Sequence, residues 1–558
     1  MLTSHRRALR ASIGQLFLSG LVAASLSACS SQRGSGAGHG DGGSGGDMNP
    51  LGQLTQIVIG PDTPADAPTK FGGPQDPSAA PTVVYPADGV IMPPNLSELE
   101  VQWTPGAGTK LFELRFVSTY LDLTIYTVCK PIGTGCGFLP DEATWALMSQ
   151  QSRGDTMKLT VRGTSGGGGV VGAAAARSIS FTDEDLLGGL YYWAASAGTI
   201  ARYDFGKRGQ SAEVFYNASE AGALCVGCHS LARNGERIAV GLNAPVPTAG
   251  LRVLDIATKG KMFDRGSMFG GGSNFEAFSP DGMRILVNAG SDLLLLDANT
   301  GNQVGTAAAI LNGNLPDWSA DSSKVTFARS GASGCPLGLC GSIPGVAGAD
   351  LYTVDVSGDT FGAPQMIVTG GGNNFYPTYA PDGSVIAFNR SVSNASSFDA
   401  PDARVWVVGA TGGTPVALTN ASATGADVGD SWPKFAPFSH HWKGETIFWL
   451  TFSSRRDYGL RLINHDKIPT MGSDGSTNDP RIAQVWMVGV PASAIHSGAM
   501  PAGGYPAFWL PFQSMASGNH IAQWTEKIAR QPCNQIDANP CPQGEECENG
   551  ACVGVPVL

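Results

Sequence analysis

The feature that most constrains the fold is a repeat of short apolar strands around tight turns. One copy reads "FEAFSPDGMRILVNAGSDLLLLDANTG", and each unit joins an aromatic start, a turn and two further strands. The units begin at Phe275, Leu315, Phe375 and Ser431, and their turns are Asp281-Gly282, Asp321-Ser322 and Asp382-Gly383. Asp-Gly supplies the positive φ that a two-residue hairpin needs. Turns that recur 40 and 61 residues apart predict a β-propeller with one four-stranded blade per unit.

The "SPDG" turns resemble those of the TolB-like propeller family, which implies that fold over residues 208–530. The segment 233–240 aligns with 280–287, so a first blade begins near residue 228. Six starts, near residues 228, 275, 315, 375, 431 and 505, predict six blades. The unit that begins near residue 505 contains too few strand segments for a complete blade. The segments "GTIARYDFG" and "AEVFYN", upstream of the first blade, either complete the ring or end the preceding domain.

Residues 81–207 contain short alternating runs such as "LEVQWTP" and "LFELRFVS", separated by turn residues. The region resembles a fibronectin type III or related immunoglobulin-like sandwich, with Trp103 and Tyr191-Tyr192-Trp193 as its anchors. Another small β-sandwich is the alternative. The predicted fold class is therefore all-β: a sandwich, then a propeller, then a small disulfide-rich tail over 531–558.

The first residues carry an export signal. Arg6, Arg7 and Arg10 precede a short apolar stretch that ends in "LSAC" at Cys29. This resembles the lipobox of bacterial lipoproteins, which implies a signal peptide over 1–28 and lipidation of Cys29; an ordinary signal sequence is the alternative. Ser30 then favours the outer membrane, with the protein facing the periplasm or the cell surface. Residues 29–80 are rich in Gly, Ser and Pro and predict a flexible tether. A net charge of −11 argues against nucleic acid as a partner.

The chain has 11 cysteines, and eight remain after Cys29 and a C-x-x-C pair are set aside. An even remainder suits disulfides in an exported protein. The candidates are the pairs Cys129–Cys136 and Cys335–Cys340 and the four tail cysteines Cys533, Cys541, Cys547 and Cys552. Metal binding by the tail is the less favoured reading, because no His lies among these cysteines.

"CVGCH" at 225–229 is the pattern of covalent haem attachment. Cys225 and Cys228 would form thioethers to one haem c per chain, and His229 would be the proximal iron ligand. A redox C-x-x-C is the rival, but it needs a βαβ context that this sequence lacks. Because the motif precedes the first hairpin, the haem is predicted at the channel mouth of the propeller.

The sixth iron ligand is open at this stage. Met268 is the first choice, because it lies in the loop that leads into the second blade. Met262 is weaker. His520 is the best histidine, but it is expected on the opposite face. His440 and His441 lie in a hairpin with Trp442 and are expected to be surface histidines, and His465 and His496 lie in loops with no ligand spacing.

These features predict a lipid-anchored, mono-haem c-type envelope protein that transfers electrons or serves a redox complex. Its partner would be a redox or other envelope protein. The alternatives are a haem enzyme with an open axial site and a non-enzymatic scaffold that binds envelope proteins or glycans. No hydrolase motif of the G-x-S-x-G or H-E-x-x-H type occurs, so no catalytic residue is proposed.

Overall fold

Strand formation dominates the chain, as its alternating apolar runs and Gly-rich turns predict. The computed structural model describes residues 52–167, 169–206, 211–243, 250–266, 275–289, 292–305, 313–330, 346–393, 397, 400–422, 424–425, 428–468, 470–471, 477–478, 480–497, 504–533, 541–542, 545–548 and 550–554. The prediction of an all-β protein is confirmed. No helix among these residues is long and apolar enough to cross a membrane.

The N-terminal unit consists of two sheets and one helix. Its elements are β1 (Leu54–Ile59), β2 (Thr82–Tyr85), β3 (Val90–Met92), β4 (Val101–Thr104), β5 (Leu111–Val117), β6 (Leu121–Val128), β7 (Lys130–Ile132), β8 (Gly135–Phe138), α1 (Glu142–Gln151), β9 (Thr156–Thr164), β10 (Val171–Ala173) and β11 (Arg177–Phe181). One sheet has the order β1-β6-β5-β9-β11-β3, with β10 on β9, and the other has the order β2-β4-β8-β7. Trp103 of one sheet and Phe112 of the other are fully buried and meet edge to face at 5.1 Å. The resemblance to fibronectin type III stays a prediction.

The prediction of a flexible tether over 29–80 is wrong for the residues that the structure describes. Strand β1 runs parallel beside β6 over six residue pairs. Two 3₁₀ helices follow, Ala67–Phe71 and Pro77–Ala79. Phe71 is buried against Tyr126, with 5.5 Å between the ring centroids. The Pro residues thus begin short helices that carry an apolar side chain into the sandwich.

The remaining strands build the propeller and the tail. They are β12 (Gly189–Ala194), β13 (Thr199–Asp204), β14 (Glu213–Asn217), β15 (Cys225–Leu231), β16 (Arg237–Asn243), β17 (Gly250–Asp255), β18 (Lys261–Gly266), β19 (Glu276–Phe278), β20 (Arg284–Ala289), β21 (Asp292–Asp297), β22 (Gly313–Trp318), β23 (Lys324–Ser330), β24 (Ala349–Ser357), β25 (Thr360–Phe361), β26 (Gln365–Val368), β27 (Asn373–Tyr379), β28 (Val385–Ser391), β29 (Arg404–Gly409), β30 (Val416–Ala417), β31 (Asp430–Trp442), β32 (Glu445–Ser454), β33 (Thr470–Met471), β34 (Thr477–Asn478), β35 (Gln484–Pro491), β36 (Phe508–Trp509), β37 (Asn519–Thr525), β38 (Glu545–Glu548) and β39 (Ala551–Gly554). A 3₁₀ helix (Ala195–Ala197) and two short helices, α2 (Ala218–Ala221) and α3 (Ala492–Ser497), lie among them.

Six sheets among the described residues are the blades. Blade one is β15-β16-β17-β18, blade two β19-β20-β21, blade three β22-β23-β24 with β25 and β26, blade four β27-β28-β29-β30, blade five β31-β32-β35-β36, and blade six β37-β12-β13-β14. In each blade the first-named strand is innermost. The prediction of six blades is confirmed.

The "SPDG" turn is held by side chains as well as by its backbone. The Ser279 hydroxyl donates to the Asp281 carboxylate at 2.6 Å and accepts from the Arg284 N–H at 3.0 Å. Gly282 takes the left-handed conformation, with φ +71°. Ser319 and Asp321 repeat the hydroxyl–carboxylate bond in blade three, at 2.7 Å. The recurrence explains why this motif marks successive blades.

Blade six closes the ring with strands from both ends of the propeller sequence. Its inner strand β37 pairs antiparallel with β12. The predicted domain boundary at residue 207 is therefore wrong, because Tyr191-Tyr192-Trp193 and β13 belong to the propeller and not to the sandwich. The predicted start near residue 505 is also wrong, since β36 is the outer strand of blade five. "GTIARYDFG" and "AEVFYN" do complete the ring, as the first alternative supposed.

The C-terminal tail packs against blade six. Cys129 pairs with Cys136 in the sandwich, as predicted. The four tail cysteines, whose pairing the sequence left open, form the disulfides Cys533–Cys547 and Cys541–Cys552. These two disulfides use all four tail cysteines, which would have to be free thiols to bind a metal ion. Six side chains, each less than a tenth exposed, form an ion cluster beneath the tail: Arg202, Glu213, Glu220, Lys259, Arg530 and Glu545. Three positive and three negative groups balance there.

Candidate functional site

The haem-attachment motif is the first half of β15. Cys225 is half-buried and Cys228 is buried. The pairing with β16 shifts between Gly227 and His229, so Cys228 is the extra residue of a β-bulge. Bulges bend a strand and redirect a side chain, and they are frequent next to functional sites.

The two thiols of the motif differ from the other cysteines that the structure describes. The structure describes eight cysteines. Six of them form disulfides, and only Cys225 and Cys228 are free. Burial raises the pKa of Cys228 to about 12, with the Glu276 carboxyl adding to the effect. Cys228 is therefore a neutral thiol and not a reactive thiolate, which argues against a thiol–disulfide redox role.

His229 is buried without a hydrogen-bond partner. Its side chain is 4% exposed, and neither ring nitrogen makes a hydrogen bond within the described residues. Burial lowers the pKa of His229 to about 4, which the nearby backbone of Tyr191 offsets only in part. A neutral imidazole with free nitrogens is the form that ligates iron.

The inner strands of all six blades meet at one cavity of about 60 Å³. Its lining residues are His229, Phe275, Glu276, Leu315, Pro316, Tyr376, Pro377, Thr378, Trp432, Pro433, Lys434 and Gln523. This cavity lies in the central channel, and His229 is the contribution of blade one. Cys225 and Cys228 are not among the lining residues.

Equivalent positions in the blades explain how the cavity divides. Leu315, Tyr376 and Trp432 have φ near +54°, +50° and +55°, and each is followed by a proline that lines the cavity. Blades one and two place His229 and Glu276 at the proline position. Blades three to five thus place prolines at this position of the cavity wall, whereas blades one and two place the titratable side chains of His229 and Glu276 there.

Glu276 is a functional candidate that the sequence analysis missed. Neither carboxylate oxygen has a partner among the described residues, and burial raises the pKa of Glu276 well above its ordinary value. Leaving such a group unsatisfied costs about 1–3 kcal/mol. The signal was present in the sequence, because Glu276 replaces the proline of the neighbouring repeats.

Three aromatic side chains form the apolar wall. Tyr376 and Trp432 stack with 4.0 Å between centroids, and Phe275 lies 5.7 Å from Trp432. Two residues after Trp432 on the same strand, Lys434 also lines the cavity and pairs with Asp317 at 2.6 Å. The charge of this lysine is therefore already compensated.

The donor set fits a c-type haem, but the channel cavity does not hold one. Two free thiols and an unpartnered imidazole are the groups that the attachment needs. A cavity needs about 10–15 Å³ to hold one buried water. The channel cavity, at about 60 Å³, therefore has room for a few waters but not for the haem macrocycle. The Trp193 side chain of blade six packs against the motif at Gly227: a Cβ on this glycine would stand 3.4 Å from the indole ring.

His520 lies on the same side of the propeller as the motif, so its predicted place on the opposite face is wrong. It is the second residue of β37, and its Cα pairs with that of Trp193. The Trp193 and His520 rings are 6.0 Å apart. Trp193 therefore lies between Gly227 of the motif and His520.

The other predicted residues are dispersed or lie outside the described residues. Met262 is in β18, the outermost strand of blade one. His440, expected at the surface, is buried and accepts a hydrogen bond from the Trp449 indole N–H at 2.9 Å. His441 and His465 are exposed and pair with Glu184 and Asp457. Predictions for Cys29, Met268, Cys335 and Cys340 fall on residues that the structure does not describe.

No protein-family model and no curated protein matches the chain. Among solved structures, it is similar to a putative TolB from Agrobacterium tumefaciens (16% identity, TM-score 0.34, covering 58% of this chain and 87% of that one). It is also similar to TolB from Acinetobacter baumannii (12%, 0.35, 66% and 79%) and to dihydro-heme d1 dehydrogenase NirN (12%, 0.29, 55% and 72%). The propeller assignment rests on the strand pairings and not on these similarities.

Proposed function

We propose that this chain is a mono-haem c-type redox protein whose haem is carried by blade one of the propeller. The observation that carries the proposal is the chemistry of residues 225–229. Cys225 and Cys228 stay free while the other described cysteines pair, and His229 is buried with both nitrogens unpartnered.

The residues of the motif have separate roles. Cys225 and Cys228 would hold the haem through thioethers, and His229 would ligate the iron. A bound haem supplies reversible one-electron chemistry. The protein's own contribution is to keep His229 neutral by burial and to fix it on the bulged inner strand of blade one, where it lines the channel cavity.

Location and partner belong to the same proposal. An export signal with lipidation at Cys29 would anchor the chain to the outer membrane, facing the periplasm or the cell surface. A protein of this kind would exchange electrons with a redox or other envelope protein. The disulfides support an oxidising compartment.

The proposal is tested by exporting the chain in a host that matures c-type cytochromes and staining a denaturing gel for haem peroxidase activity. We expect a stained band that Cys225→Ser combined with Cys228→Ser abolishes. Cys129→Ser combined with Cys136→Ser is the control, since it removes two cysteines that form a disulfide in the sandwich and should keep the stain. An unstained wild-type band would overturn the proposal.

The reaction class needs a second measurement on the stained protein. Reversible titration between ferric and ferrous forms, with no carbon monoxide adduct, is the result expected for electron transfer. Rapid carbon monoxide binding by the wild type would contradict electron transfer and favour the enzyme with an open axial site.

A further inference from the structure

We propose that the channel cavity binds a small primary alkylammonium ion, with the Glu276 carboxylate as its counter-ion and the aromatic wall beside its alkyl group. This site goes beyond the proposed redox function and does not depend on it. Its polar binding groups are Glu276 and Thr378, which are not the residues that would hold a haem.

The first support is the order of residues along the inner strands. Blades three, four and five repeat a large apolar residue, a proline and a polar residue, in the segments Leu315-Pro316-Asp317, Tyr376-Pro377-Thr378 and Trp432-Pro433-Lys434. All of these residues except Asp317 line the cavity. Because equivalent positions of the blades lie at equal depth in the channel, the cavity has an apolar layer followed by a polar layer. Such an order suits a ligand with one apolar and one polar end.

The second support is the charge of the lining. Lys434 is compensated by Asp317, with 2.6 Å between Nζ and Oδ1. Glu276 forms no ion pair within the part of the chain that the structure describes, and neither of its carboxylate oxygens has a hydrogen-bond partner there. A buried carboxylate is costly unless a positive charge or hydrogen bonds compensate it. A bound cation would supply that charge.

The third support is the number of acceptors. The Thr378 side chain is 1% exposed, and its hydroxyl also lacks a partner among the described residues. Two carboxylate oxygens and one hydroxyl oxygen match the three N–H donors of a primary ammonium group. Divalent Mg²⁺ or Ca²⁺ prefers six or more oxygen ligands, often from several carboxylates. The lining offers one carboxylate, which favours the ammonium ion.

The fourth support is the wall and its size. Phe275, Tyr376 and Trp432 all line the cavity, and the rings of aromatic side chains attract ammonium groups through their negative faces. A volume of about 60 Å³ has room for about four waters. A ligand of three or four non-hydrogen atoms, such as ethylammonium, therefore fits, whereas tetrapropylammonium is too large.

The test is isothermal titration calorimetry of the exported, purified full chain with ethylammonium chloride, at an ionic strength held constant with sodium chloride. A ligand of three non-hydrogen atoms binds no more tightly than roughly 0.5 mM, so the titrant is used at millimolar concentration. We expect saturable binding of one ethylammonium per chain. Ethanol, which has the same size without the charge, and tetrapropylammonium should not bind.

Glu276→Gln should weaken ethylammonium binding by at least about tenfold, because it removes a hydrogen-bond acceptor that is charged. Thr378→Val should weaken binding by about two- to tenfold, since it removes a neutral acceptor of the same shape. Glu546→Gln is the matched control, because Glu546 is exposed on the tail, and its affinity should equal that of the wild type.

The absence of saturable binding, equal affinities of the wild type and Glu276→Gln, or equal binding of ethanol would overturn the inference. Displacement of ethylammonium by millimolar magnesium chloride would overturn it in favour of a divalent cation. None of these outcomes affects haem attachment, which the stained gel decides separately. Thermal unfolding of each variant identifies a failure to fold. If Glu276→Gln does not fold, Thr378→Val and the comparison of ethylammonium with ethanol on the wild type decide.

Discussion

Arg202 of blade six and Glu545 of the tail lie 343 residues apart in sequence and form a buried ion pair, with 3.3 Å between Nη2 and Oε1. Lys259 of blade one contacts the same carboxylate at 3.3 Å. The tail thereby compensates positive charge where the last blade meets the first. Its two disulfides hold Glu545 in place where apolar residues are too few to do so.

Glu545→Gln should destabilise the protein by about 3 kcal/mol, because removing one member of a buried ion cluster leaves an uncompensated charge. Equilibrium urea unfolding measures the effect. Glu546→Gln is the control: the neighbouring side chain is exposed and should change stability by less than about 0.5 kcal/mol. Equal effects of the two substitutions would show that the tail does not anchor the ring.

Gly188→Ala should cost more than Gly198→Ala, although both glycines have left-handed backbones, with φ +72° and +62°. A Cβ on Gly188 would stand 2.0 Å from the Thr525 carbonyl oxygen at the end of β37, whereas nothing lies within 4 Å of one on Gly198. Backbone strain alone costs about 1 kcal/mol, and the clash adds about 1–3 kcal/mol. Thermal unfolding compares the two. A similar loss in both would contradict the closure of the ring at this contact.

Stability should fall as the pH drops from about 6.5 toward 4, in part through His440. Burial lowers the pKa of His440 to about 4, so between these values the unfolded chain binds a proton that the folded chain does not. His440→Asn keeps an acceptor near Trp449 and should flatten this dependence in urea unfolding at pH 7 and pH 5. In His465→Asn the dependence should not flatten, because Asp457 raises the pKa of the exposed His465. A slope unchanged by His440→Asn would contradict the account.

Glu276→Leu should stabilise the haem-free protein by about 1–3 kcal/mol, because it removes a buried carboxyl without a partner. The gain should be larger at pH 7 than at pH 4. Because the pKa of Glu276 is raised in the folded state, the wild type loses stability as the pH rises, whereas Glu276→Leu does not lose this contribution. Glu100→Gln is the contrasting substitution and should destabilise, since Glu100 is buried and paired with Arg461 at 2.5 Å. A loss of stability in Glu276→Leu would mean that the carboxyl has a structural partner.

The blades that keep their turn chemistry were predictable from sequence, and the closing blade was not. Ser279 and Asp281 hold a turn that is recognisable wherever it recurs. The inner strand β37 ends without such a turn, and its partner strands lie about 300 residues upstream, where no local pattern links them. Because the sequence did not reveal β37 as an inner strand, His520 was predicted on the wrong face of the propeller.

At the candidate site, the sequence predicted the chemistry better than the place. Cys225, Cys228 and His229 were found by their spacing, and the structure leaves both cysteines outside disulfides and both ring nitrogens of His229 without a hydrogen bond among the described residues. The sequence could not reveal that the channel cavity is too small for a macrocycle, since packing across six blades decides its volume. It did contain the substitution of a proline by Glu276, which an alignment of the inner strands makes visible.

The most direct test of the central claim is a pyridine haemochrome spectrum with an intact mass measurement on the exported protein after acid–acetone extraction. The account predicts a c-type α band and one haem retained per chain, both lost when Cys225→Ser and Cys228→Ser are combined. An apoprotein mass with no haemochrome in the wild type, under conditions that mature a reference c-type cytochrome, would contradict it.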